Sequence, residues 1–258
     1  MPRRPFDVLF LCTGISHGRM ADGVTTDVLV RPAPARHAGA LVHSLTEAVA
    51  IECLATAFLL IGVVGSGIMA ERLCGGNVGL ALLVNAIATG GALVALILAF
   101  GPRSGAHMNP AVTLAAALTG GLRWRTVPVY VLAQVVGAII GVWVVHVMFE
   151  LPVLQFSAHV RTGIGQWVAE VVATLGLLAT IWGCRAHDAP VTAFAVAAYI
   201  VGAYWFTAST SFANPAVTIA RGLTDTFAGI RPADVPGFIL AQLAGVGLAL
   251  PLLRTRRR

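Results

Sequence analysis

Apolar residues fall into six long blocks along this chain, near 43–69, 77–100, 126–149, 165–184, 189–208 and 235–253. Each is long enough, or nearly so, to cross about 30 Å of hydrocarbon as a helix. Two further apolar runs, about 109–119 and 214–223, are too short to cross. Both open on the same five residues: Asn109-Pro110-Ala111-Val112-Thr113 and Asn214-Pro215-Ala216-Val217-Thr218. Asn is a strong helix N-cap, and Pro is favoured at the first helical position. The pattern therefore predicts two helix starts at membrane depth. Such breaks are tolerated there only when buried in protein or lining a water-filled cavity. Each short run is expected to enter and leave on one side as a half-helix.

Composition agrees with a polytopic membrane protein. The 258 residues are 57% hydrophobic and 11% charged, with a mean hydropathy of +0.85. A soluble domain of this size carries far more charge. The net charge of +6 comes entirely from arginine. Those arginines sit at segment ends, so they report orientation, and no nucleic-acid partner is expected. With both termini inside, 13 arginines fall on the cytoplasmic side and 4 outside. This predicts a multi-pass protein of the plasma (inner) membrane with cytoplasmic termini. Arg256, Arg257 and Arg258 then anchor the chain beside anionic membrane lipid. The four cysteines, Cys12, Cys53, Cys74 and Cys184, lack metal or disulfide spacing and are expected to be free, mostly buried thiols. No cofactor and no metal site are expected.

The two halves match in order. Ile51-Glu52 and Ala169-Glu170 each open an apolar span with one acidic residue, and Thr56 and Thr174 follow four positions later. Val127–Ala138 matches Val235–Val246, with Gln134 against Gln242. Each half carries three spans and one half-helix. Three is odd, so the second half sits upside down relative to the first. Inverted repeats place a permeation site near the midplane, at the repeat interface. The expected fold is all-α: six transmembrane helices plus two re-entrant half-helices, in a channel domain spanning 43–258. Residues 1–42 are expected to be a poorly ordered cytoplasmic segment.

On these residues the chain resembles the aquaporin and glycerol-facilitator family over about 43–253. The resemblance rests on Ser104–Thr113, the second Asn-Pro-Ala, the two Glu residues and the two Ala-Gln segments. It implies a homotetramer with one pore per subunit for small neutral solutes, lined at Asn109, Pro110, Ala111, Asn214, Pro215 and Ala216. Two helix N-termini facing each other place about half an elementary charge apiece at the midplane. That field repels cations, while the Asn amides donate to a passing hydroxyl oxygen. Glu52, Glu170 and His107 are expected to brace the loops before the half-helices. A proton relay through the carboxylates and a pH gate at His107 are the sharper alternatives.

The family's filter position directly after the second Asn-Pro-Ala is usually Arg; here it is Val217. Ungapped counting from the two Asn residues puts Thr89, Gly202 and Ser211 at the other filter positions. This filter is expected to be wide, neutral and mildly polar. Arg221, one turn beyond Val217, is a candidate to reach back. Val217 and the stretch Ser209–Asn214 are similar to the channels of bacterial arsenic-resistance operons. The resemblance implies arsenite, as As(OH)3, and methylated arsenicals as substrates, with glycerol or water also permeant. A general water and glycerol channel with a widened filter is the alternative. Val8–Ala21 resembles the opening strand and oxyanion loop of low-molecular-weight arsenate reductases. However, Cys12 and Arg19 are one residue too far apart, and no room remains for the reductase fold. A relic of such a domain, chance and an upstream start-site artefact stay open. No enzyme activity is expected. A reductase acting through Cys12 and a junction protein with an occluded pore are the competing classes.

Overall fold

The computed structural model of the protein describes residues 44–254. The segment 1–42 and its reductase-like stretch lie outside the described residues. Eight α-helices follow in order: α1 Leu45–Leu73, α2 Val78–Ser104, α3 Pro110–Leu118, α4 Val127–Met148, α5 Ile164–Gly183, α6 Ala189–Phe206, α7 Pro215–Arg221 and α8 Val235–Arg254. Six of these are long and apolar enough to cross a membrane, and α3 and α7 are the short pair. The spans agree with the apolar blocks to within a few residues at each end.

Local signals explain the boundaries. The Ser44 hydroxyl accepts from the Glu47 N–H at 3.1 Å and starts α1, in the Ser-x-x-Glu pattern of a capping box. The Asn77 side chain caps α2 through the Leu80 N–H at 3.0 Å. Gly105 ends α2 in the left-handed region at φ 90°, a position that suits glycine. Proline near the first helical position opens α3, α4, α6 and α7.

The halves pack alike. Helix α1 lies against α2 and α4, and α5 lies against α6 and α8. The half-helices cross over: α3 packs on α8, and α7 on α4. Close approach depends on glycine. A Cβ at Gly137 of α4 would collide with the Cys53 carbonyl oxygen of α1. At the repeat-equivalent Gly245 of α8, a Cβ would meet the Val171 carbonyl oxygen of α5 at 2.9 Å. Small residues let helix backbones touch where lipid gives no hydrophobic drive to association. Among the described residues, Cys53, Cys74 and Cys184 are free thiols; each is partly exposed rather than buried.

Substituting Gly137→Leu is expected to force α1 and α4 apart and to abolish recovery of monodisperse protein from detergent. Gly247→Leu, on an open face of α8, is expected to leave recovery unchanged. Size-exclusion profiles of the two variants, compared with wild type, check both.

Candidate functional site

The half-helices meet end to end through their own caps. Asn109 Oδ1 accepts from the Ala111 N–H at 2.8 Å, and Asn214 Oδ1 accepts from Ala216 at 3.0 Å and Val217 at 3.3 Å. Each amide nitrogen then reaches across. Asn109 Nδ2 donates to the Ala213 carbonyl at 2.8 Å, and Asn214 Nδ2 donates to the Met108 carbonyl at 2.7 Å. An Asn amide has two N–H groups. One is committed to the opposite loop, and the second is available to an oxygen in the lumen, which both Asn residues line.

The loops leading into the caps are irregular. Ala106 and Met108, and Ser211 and Ala213, all take positive φ between 44° and 51°. These residues stand three and one places before each Asn. A non-glycine residue held there costs on the order of 1–3 kcal/mol, and two buried carboxylates offset the cost. Glu52 accepts from the His107 N–H at 2.9 Å, the Met108 N–H at 2.8 Å, Ser104 Oγ at 2.8 Å and Gln134 Nε2 at 2.8 Å. Glu170 accepts from the Phe212 and Ala213 N–H groups, both at 2.8 Å, and from Gln242 Nε2 at 2.6 Å. Gln134 and Gln242 continue to Thr113 and Thr218 on the half-helices, at 3.0 and 2.9 Å. The His107 ring bonds Thr113 Oγ1 at 3.1 Å and packs edge-on to Tyr130. This geometry is that of braces: each carboxylate accepts two consecutive backbone N–H groups from the loop it supports and a glutamine amide from α4 or α8.

A lumen of about 210 Å³ passes the meeting point. Thr89, Ser211 and Val217 line it, as counted from the sequence; Gly202 does not. A Cβ at Gly202 would point at the Phe206 ring at 3.5 Å, away from the lumen. Tyr204 stands in the lumen instead, its hydroxyl 3.2 Å from Thr89 Oγ1. Two residues along a helix is about 200° of rotation, so a count wrong by two selects the opposite face. The stripe Thr192, Val196, Ile200 and Tyr204, at four-residue spacing, carries the lumen face of α6. That spacing was present in the sequence and would have found Tyr204. The lumen thus has a hydroxyl-bearing wall of Thr89, Tyr204 and Ser211, and an apolar Val217. Ser211 Oγ is buried without a protein partner. Arg221 also lines the lumen. At the opposite mouth Arg185 lies over the Trp182 ring at 4.0 Å, a feature that sequence reasoning did not single out.

Six crossings, two half-helices joined tip to tip and a lumen through their junction define a transmembrane channel. The chain belongs to the major intrinsic protein family, whose model matches residues 40–204. That family makes it a channel rather than an enzyme. It is similar to the aquaglyceroporin AqpS of Rhizobium meliloti (strain 1021), at 54% identity over 211 residues, covering 81% of this chain and 90% of that protein. It is also similar to a glycerol uptake facilitator of Streptococcus pneumoniae (strain ATCC BAA-255 / R6), at 32% over 125 residues, covering 43% of this chain and 53% of that protein. In fold it matches the aquaglyceroporin from Plasmodium falciparum, with a TM-score of 0.64 and 22% identity, over 83% of this chain and 97% of that one.

Replacing Glu170 by Leu orphans two buried amides and the Gln242 amide at once. Each costs about 1–3 kcal/mol. The expected result is a loss of at least about 3 kcal/mol, read as a lowered thermal midpoint in detergent, with Glu170→Gln losing less.

Proposed function

We propose that the lumen passively conducts small uncharged hydroxylic solutes, with arsenite as As(OH)3 and methylated arsenicals among them and glycerol and water also permeant. The observation that carries this reading is Val217, an apolar side chain in the lumen where the family usually places a guanidinium. An arginine there adds bulk and a charge that holds water. A valine leaves a dry surface beside the hydroxyls of Thr89, Tyr204 and Ser211. A neutral molecule with several hydroxyl groups finds donors and acceptors on one wall and contact without desolvation cost on the other. Tyr204 makes the passage tighter than a glycine would, which favours compact triols and As(OH)3 over bulkier solutes. The two Asn amides then serve as the midplane donors.

A channel for glycerol and water in general is the second reading. It is favoured by relatives whose names state glycerol uptake and aquaglyceroporin activity. We further propose a homotetramer in the plasma membrane with both termini cytoplasmic, on the arginine asymmetry and the family's assembly. Native mass spectrometry of the purified protein reads the assembly directly, with four chains expected.

A stopped-flow panel on proteoliposomes with water, glycerol, urea and arsenite separates the two solute readings. Arsenite flux at or above glycerol flux is expected. Glycerol and water conduction without arsenite flux leaves the general channel. Val217→Arg is expected to lower arsenite and glycerol flux by about tenfold or more, which is about 1.4 kcal/mol of barrier. Unchanged flux of both solutes removes Val217 as the determinant.

A further inference from the structure

Val217 lines the lumen at a position where the family usually carries a guanidinium, so no side-chain charge stands there to turn away hydronium or metal cations. We propose that Arg221, held on Phe212 and reinforced by Arg161, is the cation barrier of this channel, standing one helical turn beyond Val217. The proposal rests on the channel itself and is independent of which neutral solute is carried.

Arg221 follows Val217 by four positions on α7, so the two share a face, and both line the lumen. Side chains on a helix lean toward its N-terminus, which brings the guanidinium back toward the level of Val217. The group is pinned. Its Nε donates to the Ala228 carbonyl, and its central carbon lies 3.4 Å from the Phe212 ring centroid. Phe212 is itself fixed, edge-on to Phe238 at 5.1 Å and with its N–H on Glu170 at 2.8 Å. Arg161, from the connection between α4 and α5, lies over the same Phe212 ring at 5.2 Å and donates from Nε to the Gly229 carbonyl at 2.7 Å.

The charge is not cancelled. Among the described residues, no carboxylate oxygen comes within 4.0 Å of either guanidinium. The nearby acids are engaged elsewhere: Glu170 with the Phe212 and Ala213 amides and Gln242, and Asp234 with Arg231 and the Arg161 backbone N–H. Arginine stays protonated at neutral pH. Burying one beside another without a counter-ion is costly, and so calls for a use. The repeat isolates that use. His107 and Tyr130 in the first half match Phe212 and Phe238 in the second, and both pairs keep an edge-on contact. The first-half equivalent of Arg221, at the same offset from its Asn, is Ala116, which also lines the lumen. At this offset the half-helix scaffold thus carries a methyl group in one half and a guanidinium in the other, and the guanidinium at the opposite mouth, Arg185, comes from the end of α5 and lies on Trp182. A neutral solute meets N–H donors at Arg221, whereas a cation meets a like charge in a narrow, poorly screened passage.

The test measures proton and sodium permeability of proteoliposomes, with glycerol flux as the measure of folded, open channels. Arg221→Gln and Arg221→Met, the latter keeping contact with Phe212, are expected to raise cation permeability per open channel by about tenfold to a hundredfold. Arg221→Lys is expected to stay near wild type. Arg161→Gln, which leaves every Arg221 contact in place, is expected to raise cation permeability severalfold and covers the case in which the Arg221 variants do not fold. Glycerol-conducting Arg221 variants as cation-tight as wild type overturn the proposal. If none of these variants conducts glycerol, a cation-tight Arg161→Gln overturns it.

Discussion

Everything in this channel depends on satisfying backbone amides where no bulk water can. The two loops that carry the lumen past the midplane are not helical, so their N–H groups lack the intra-helix partners that protect the spans. Glu52 and Glu170 supply those partners as carboxylates, each taking two consecutive backbone N–H groups. A carboxylate is fitted to this because it accepts only, with room for several donors. With the amides turned outward to the carboxylates, the left-handed residues before each Asn become affordable and the half-helices start where they do. Burying the charge is tolerable because every oxygen is hydrogen-bonded.

The second consequence is rigidity at the junction. Each Asn caps its own half-helix and ties into the opposite loop, so neither half-helix can move without breaking a bond made by the other. Gln134 and Gln242 extend the ties to α4 and α8. Those helices sit directly on α1 and α5 through Gly137 and Gly245. The same chain of contacts therefore runs in each half from a helix–helix seam, through glutamine and glutamate, to the cap. A hydrogen-bond donor aimed at a solute works only if it need not reorganise as the solute passes, and this network holds it still.

Much of this was legible in the sequence because duplication makes weak signals strong. One Asn-Pro-Ala is a helix start; two, each after a span opened by glutamate, require an inverted pore. The register paired the glutamates, expected as loop braces, and the glutamines, expected as bonds between helices; in the structure Glu52 and Glu170 accept from loop amides, and Gln134 and Gln242 donate to those carboxylates. The lumen walls were less legible, for a geometric reason. Counting back from Asn214 to α6 passes through a loop, and a two-residue error rotates the chosen position from Tyr204 to Gly202. Within a helix the four-residue stripe from Thr192 to Tyr204 is a safer guide than distance from a motif. Arg221 was visible as a residue one turn beyond Val217. Its burial was not, because that depends on Phe212 and on the Ala228 carbonyl, which come from other segments.

The position of Arg221 also changes what the Val217 substitution means. Where one arginine stands at the narrowest point, aperture and charge are set by the same atoms, and widening the passage weakens its defence against cations. Here α7 presents valine at one turn and arginine at the next. Val217 gives the lumen an apolar surface, and on the proposed reading the field is supplied by a guanidinium anchored on Phe212. Coulomb repulsion falls only as the inverse of distance in a poorly screened passage, whereas steric exclusion vanishes within an ångström. Carrying the charge on the next turn of α7 therefore removes the bulk of a guanidinium from the Val217 position while giving up only part of the barrier. The repeat accommodates that separation at one offset, with Arg221 in the second half where the first half has Ala116.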